Sequence, residues 1–121
     1  MRMNFTNQRT SFTGYNSILK TLYKRGELPE VKKGFYGDKL TKENCSIEHL
    51  RCREQGGTLE LSNVVIASKR MNNLRGNKPL KDFINLKAMA EYFEQFLGIK
   101  RKGFDGDKYV KSALRTVADL L

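Results

Sequence analysis

Strong metal ligands and acidic groups are both scarce in this 121-residue sequence, which has one histidine, His49, and two cysteines, Cys45 and Cys52. These three crowd into a short stretch and are fewer than a structural zinc site uses, so zinc held by Cys45, His49 and Cys52 together is a weak reading. The cysteines are close enough in sequence for a disulfide, but a cytosolic basic protein keeps such thiols reduced, and free thiols are expected. No apolar run approaches the length of a membrane span, and the first residues, Met1 to Gln8, lack the apolar stretch of a signal peptide. The expectation is a cytoplasmic protein with no membrane partner. Acidic residues number 13 against 23 Lys and Arg, a net charge of +10 that suits a polyanionic partner. The plainer alternative is a basic surface that only keeps the protein soluble. With no repeat, low-complexity tract or linker, and a hydrophobic fraction of 39% that is compatible with folding, residues 1–121 read as a single domain.

What is present is patterned. Tyr15, Ile18, Leu19, Leu22 and Tyr23 keep helical spacing until Gly26 and Pro29, which predicts an N-terminal helix over about 13–25. Residues 27–44 are rich in Lys, Gly and turn formers and read as an ordered loop or short irregular strands around Phe35 and Tyr36. Residues 45–50 form a β-prone run, 51–60 a loop containing Gly56-Gly57, and 63–67 a second β-prone run. Ser68 can cap a helix through Lys69, Arg70, Met71, Asn72, Asn73 and Leu74, with Gly76 as terminator and Pro79 opening the next segment. A core-facing stripe of Leu86, Met89, Ala90, Phe93, Phe96 and Leu97 after an Asn85 cap predicts a helix over about 86–97. Another stripe, Tyr109, Val110, Ala113, Leu114, Val117 and Leu121, with Asp107 near its start, predicts a helix over about 107–121. The fold class is therefore α+β, a hairpin and helix flanked by helices at both ends.

Within that hairpin and helix lie groups able to cut a phosphodiester. Such a reaction needs a base to deprotonate water and a cation to neutralise the charge that develops on the phosphate. His49, with an ordinary pKa of about 6.5, suits the base. Glu48 offers a carboxylate oxygen and Asn72 an amide oxygen, and phosphate and water can complete the coordination of a magnesium ion. Adjacent strand residues face opposite ways, so Glu48 and His49 share a site only where the strand end is twisted. Two asparagines in succession, Asn72 and Asn73, cost helix propensity that something should offset. From Val64 through Lys81 the basic residues Lys69, Arg70, Arg75, Lys78 and Lys81 meet no acidic one, as expected of a face turned to a phosphate backbone. Lys100-Arg101-Lys102 is a second basic stretch that could touch DNA or be an ordinary surface loop.

Ile47-Glu48-His49-Leu50, Gly56-Gly57-Thr58, Ser62-Asn63-Val64-Val65-Ile66-Ala67 and Asn72-Asn73-Leu74-Arg75-Gly76-Asn77-Lys78-Pro79 together resemble the signature of HNH (ββα-metal) endonucleases over about 45–80. The resemblance implies a ββα-metal unit that hydrolyses DNA, by nicking or cutting, with one divalent cation, Mg2+ or else Mn2+. It assigns metal binding to Glu48 and Asn72, the general base to His49, and support of the loop between the strands to Asn63. DNA contacts fall to Lys69, Arg70, Arg75 and Lys78. Ser68 and Met71 stand where many of these domains carry a second cysteine pair, and no Cys-x-x-Cys lies upstream, so no structural zinc is expected. Small stand-alone proteins of this kind are often encoded by phages or mobile elements, which implies a bacterial host cytoplasm. Two alternatives stand beside the enzyme: a degenerate domain that binds DNA or a protein without cutting, and a colicin-type toxin domain with an acidic inhibitor.

Overall fold

A computed structural model of the protein describes residues 17–121, an α+β arrangement. Its elements are α1 (Ile18–Lys24), β1 (Cys45–His49), β2 (Val64–Ser68), α2 (Lys69–Arg75), α3 (Leu80–Phe83), α4 (Leu86–Glu94), β3 (Lys100–Arg101), β4 (Phe104–Asp105) and α5 (Gly106–Leu120). Among the described residues β1 pairs only with β2 and β3 only with β4, both antiparallel. The expected N-terminal helix begins at Ile18, with the Ser17 hydroxyl accepting from the Leu19 N–H as its cap, and its residues 13–16 and Tyr15 lie outside the described residues. Among the described residues no helix is long and apolar enough to cross a membrane.

β2 is the centre of the fold. All five of its residues are buried, which is why its sequence is a continuous apolar run instead of an alternation. In register, His49 faces Val64 and Glu48 faces Val65. The Leu50 N–H to Asn63 carbonyl bond (2.8 Å) and the Lys69 N–H to Asn44 carbonyl bond (2.7 Å) extend the ladder past both ends. Bonded pairs alternate in an antiparallel ladder. The Ile47 and His49 carbonyls must therefore point to the open edge of β1, and the polar groups of Val64 and Ile66 to the open edge of β2.

Each open edge is closed by something other than a strand. On the β2 side the Phe35 N–H, from the buried Phe35-Tyr36 turn of the 27–44 segment, donates to the Ile66 carbonyl at 2.9 Å. The Ile66 N–H donates to the Tyr92 hydroxyl at 2.9 Å, and the Tyr109 hydroxyl donates to the Val64 carbonyl at 2.8 Å. These two hydroxyls lie 3.0 Å apart. A carbonyl can only accept, so Tyr109 has committed its proton to Val64 and Tyr92 must donate to Tyr109. The result is an unbroken line from Ile66 N–H through both tyrosines to Val64 C=O. Burial pushes both phenols well above their ordinary pKa, and they stay protonated as the line requires.

Tyr92 also explains why the C-terminal helices differ from their expected faces. The side chains of α4 that reach the core are Ala88, Tyr92 and Phe93, followed by Phe96 in the turn beyond it, whereas Leu86 and Leu97 are 58% and 56% exposed. The helix is rotated so that the Tyr92 hydroxyl reaches the edge of β2. On α5 the core takes Tyr109, Val110, Ala113 and Val117, while Leu114 and Leu121 are 37% and 55% exposed. Asn85 caps α4 through the Ala88 N–H, as its sequence suggests. The cap of α5 is Asp105, which accepts from the Lys108 N–H, and Asp107 instead accepts from the Gly98 N–H at 2.9 Å. Lys100-Arg101-Lys102 is in part an internal strap. Arg101 donates to the Glu27 carbonyl and pairs with Glu30 at 3.1 Å, and Lys100 pairs with Asp105 at 3.1 Å.

Removing the Tyr92 hydroxyl strands the buried Ile66 N–H without an acceptor. Tyr92→Phe is expected to lower stability by about 1–3 kcal/mol, measured by urea denaturation. A change below a few tenths of that would show that the line between the strands and the tyrosines contributes nothing.

Candidate functional site

The outer edge of β1 is closed by α2. Ser68 ends β2 and caps α2 through its hydroxyl, which accepts from the Met71 N–H at 3.2 Å, so the helix follows the strand with no intervening loop. This places Asn72 and Arg75, one turn apart on a single helix face, against the open edge of β1. The Asn72 amide nitrogen donates to the Ile47 carbonyl at 3.0 Å and to the Ser46 hydroxyl at 2.9 Å. Arg75 donates to the His49 carbonyl at 2.6 Å and to the Leu50 carbonyl at 2.9 Å. These strand bonds offset the poor helix propensity of asparagine at position 72. They also bind helix to strand at the segment that carries Glu48 and His49.

Glu48 points inward. It is buried, its Oε2 accepts from the Tyr36 hydroxyl at 2.6 Å, and Arg75 Nη1 lies 3.5 Å from the same oxygen. Burial raises the Glu48 carboxyl above its ordinary value, with the Tyr36 and Arg75 interactions opposing that shift only in part. The Tyr36 phenol is raised strongly, first by burial and then by the adjacent carboxylate, so it acts as a permanent donor to Glu48. His49, on the next strand position, is half-buried. Its imidazole pKa is lowered, by desolvation first and then by the Arg53 and Arg75 charges, with Glu54 opposing.

Asn63 is a clamp on the loop between the strands. Its Oδ1 accepts from the Arg51 N–H at 2.8 Å, and its amide nitrogen donates to the carbonyls of Arg51 (3.1 Å) and Thr58 (2.9 Å). Both sides of the loop are thus held by one buried side chain. The glycine pair serves the same closure. Gly56 has φ of 88°, and a Cβ on Gly57 would stand 1.7 Å from the Arg51 carbonyl oxygen. Any larger residue at 57 would drive the loop off Asn63.

Of the four expected DNA contacts, three are on the surface and one is not. Lys69, Arg70 and Lys78 are exposed, with Arg70 also 3.4 Å from Asp38 and the Lys78 ammonium donating to the Leu74 carbonyl at 2.8 Å. Arg75, expected to meet a phosphate, is instead 1% exposed. Its guanidinium is taken up by the carbonyls of His49, Leu50 and Lys78, the Tyr36 hydroxyl and the Glu48 carboxylate. Composition marks Arg75 only as a cation, and its burial follows from its place one turn beyond Asn72 on the strand-facing side of α2. The part played by Tyr36 escapes the sequence pattern for a related reason. It comes from an irregular loop, where no periodicity links it to Glu48.

Glu48 and Asn72 are the only oxygen ligands that the sequence pattern nominates, and they bracket the same strand segment. Among the described residues no group of three or more His, Cys, Asp or Glu side chains is placed to hold a metal, and both cysteines are free and buried. The trio Cys45, His49 and Cys52 therefore forms no such group. No protein family, curated protein or solved structure matches the chain.

Arg75→Ala removes the counter-charge of buried Glu48 and the donor to the His49 and Leu50 carbonyls, and should cost about 3–5 kcal/mol in chemical denaturation, as loss of one member of a buried ion pair does. A cost under about 1 kcal/mol, the range of exposed pairs, would contradict its structural role. In the metal-free protein, NMR titration of the His49 ring should give a pKa below about 6.5, and Arg53→Ala should move it upward. A downward move would refute the electrostatic account.

Proposed function

We propose that the chain is a metal-dependent endonuclease of the HNH (ββα-metal) type that hydrolyses DNA phosphodiester bonds, with His49 as general base. The observation that carries this reading is the joint attachment of α2 to β1 through Asn72 and Arg75, beside an Asn63-clamped loop. That attachment ties the helix that carries Asn72 to the strand that carries Glu48 and His49, in the strand, loop, strand, helix order the sequence resemblance implies.

The donor set fits a hard cation. Glu48 would supply a carboxylate oxygen, and Asn72 its Oδ1, because its amide nitrogen is occupied by Ser46 and Ile47. Bound there, Mg2+ or Mn2+ would supply charge neutralisation at the scissile phosphate. Tyr36 and Arg75 hold Oε2 of Glu48 and restrict how the carboxylate can turn toward a ligand. His49 has its pKa lowered, so at neutral pH its ring is unprotonated and able to take a proton from water. Lys69, Arg70 and Lys78 are exposed cations on and just after α2, suited to phosphate contacts that position DNA without reading its sequence.

One observation favours a second reading. Glu48 already has a cationic neighbour in Arg75, and that ion pair would satisfy a degenerate domain that binds DNA or protein without cutting it. Supercoiled plasmid incubated with Mg2+ or Mn2+, beside a chelator control, separates the two. Nicked or linear product that depends on the metal and disappears in His49→Ala, with DNA binding retained, is the expected result. Retarded but intact plasmid would establish the binding module, and full cleavage by His49→Ala would sink the mechanism.

A further inference from the structure

The rotation of α4 and the burial pattern of α5 leave apolar side chains facing outward. Leu86, Leu97, Leu114 and Leu121 are four of the large exposed hydrophobic residues, and all belong to α4, α5 or the residues just after them. Between the two helices runs a groove of about 410 Å³ whose apolar lining is Met89, Ala90, Phe93, Leu97, Val110 and Leu114. Surfaces of this kind mark interaction sites, since isolated exposed leucines are ordinary but a lined groove of them is not.

The charges at the rim identify the occupant. Lys87, Glu91 and Glu94 border the groove along α4. Glu91 pairs with Lys33 at 3.6 Å. Lys87 and Glu94 remain, about two helical turns apart, and among the described residues neither is in an ion pair. A rim with a cation at one end and an anion at the other becomes complementary to itself on a two-fold rotation, because Lys87 of each copy then meets Glu94 of the other. The α4 rim thus carries charges that a second copy of this chain would match in both directions.

We infer that the α4–α5 face is a homodimer interface, in which two copies pack helix on helix around a two-fold axis with the groove leucines at its centre. None of the groove residues belongs to β1, β2 or α2, so the proposed catalytic segment of each copy stays outside the contact. The inference does not depend on the nuclease reading.

Light scattering coupled to size exclusion, run over micromolar to millimolar protein, should give the mass of a dimer for the full chain. Leu97→Glu and Leu114→Glu replace exposed side chains and so should fold, but should elute as monomers. Lys87→Glu sets two carboxylates together twice and should raise the dimer dissociation constant about tenfold. The exchange variant Lys87→Glu/Glu94→Lys restores opposite charges and should recover wild-type dimerisation. A wild-type monomer throughout the range overturns the inference. So does a dimer unaffected by both leucine variants, or a Lys87→Glu defect that the exchange leaves uncorrected.

Discussion

A two-stranded sheet has no interior strand, so both of its edges carry polar backbone groups that the ladder leaves open. Everything central in this protein follows from how those edges are closed. On the β2 side the groups are taken by one N–H from the Phe35 turn and by two tyrosine hydroxyls from separate helices. On the β1 side they are taken by Asn72 and Arg75 from α2. An unpaired buried donor or acceptor costs about 1–3 kcal/mol. Closing both edges is therefore a condition of having this core, and helices α2, α4 and α5 are positioned by it.

The candidate site is a by-product of the same closure. In the proposed site Asn72 would turn its oxygen to a metal, since its nitrogen is spent on Ser46 and the edge of β1. Arg75 completes the edge and in doing so stands beside Glu48, where a carboxylate without a partner would be expensive to bury. Tyr36 reaches the same oxygen from the loop that supplies the Phe35 bond on the opposite edge. Structural and chemical demands on these residues cannot be separated, and the Asn63 clamp, with Gly57 pressed against the Arg51 carbonyl, extends that dependence into the loop between the strands.

Legibility in the sequence divides along the range of the interactions. Caps are local, and the roles of Ser68 and Asn85 could be read from their neighbours. The choice between Asp105 and Asp107 could not, because Asp107 is drawn away by the Gly98 N–H across the turn from α4. Apolar periodicity located α4 and α5 but not which part of each stripe would be buried. Tyr92 meets Ile66 and packs with Phe93 and Phe96 in the core, which leaves Leu86 and Leu97 outward. The basic run on and after α2 identified a charged segment, yet charge counting treats Arg75 like Lys69, although one is buried among carbonyls and the other is exposed.

By itself the sequence determined the α+β class, the order strand, loop, strand, helix, and the identity of the acid-histidine pair with its two spaced asparagines. Those depend on residue type and spacing, which act over a few neighbours. The tertiary structure alone decided that Arg75 is an internal counter-charge, that Tyr36 holds Glu48, and that the leucines of α4 and α5 face outward. Each of these depends on which open backbone group a distant side chain must satisfy, and no local pattern carries that information.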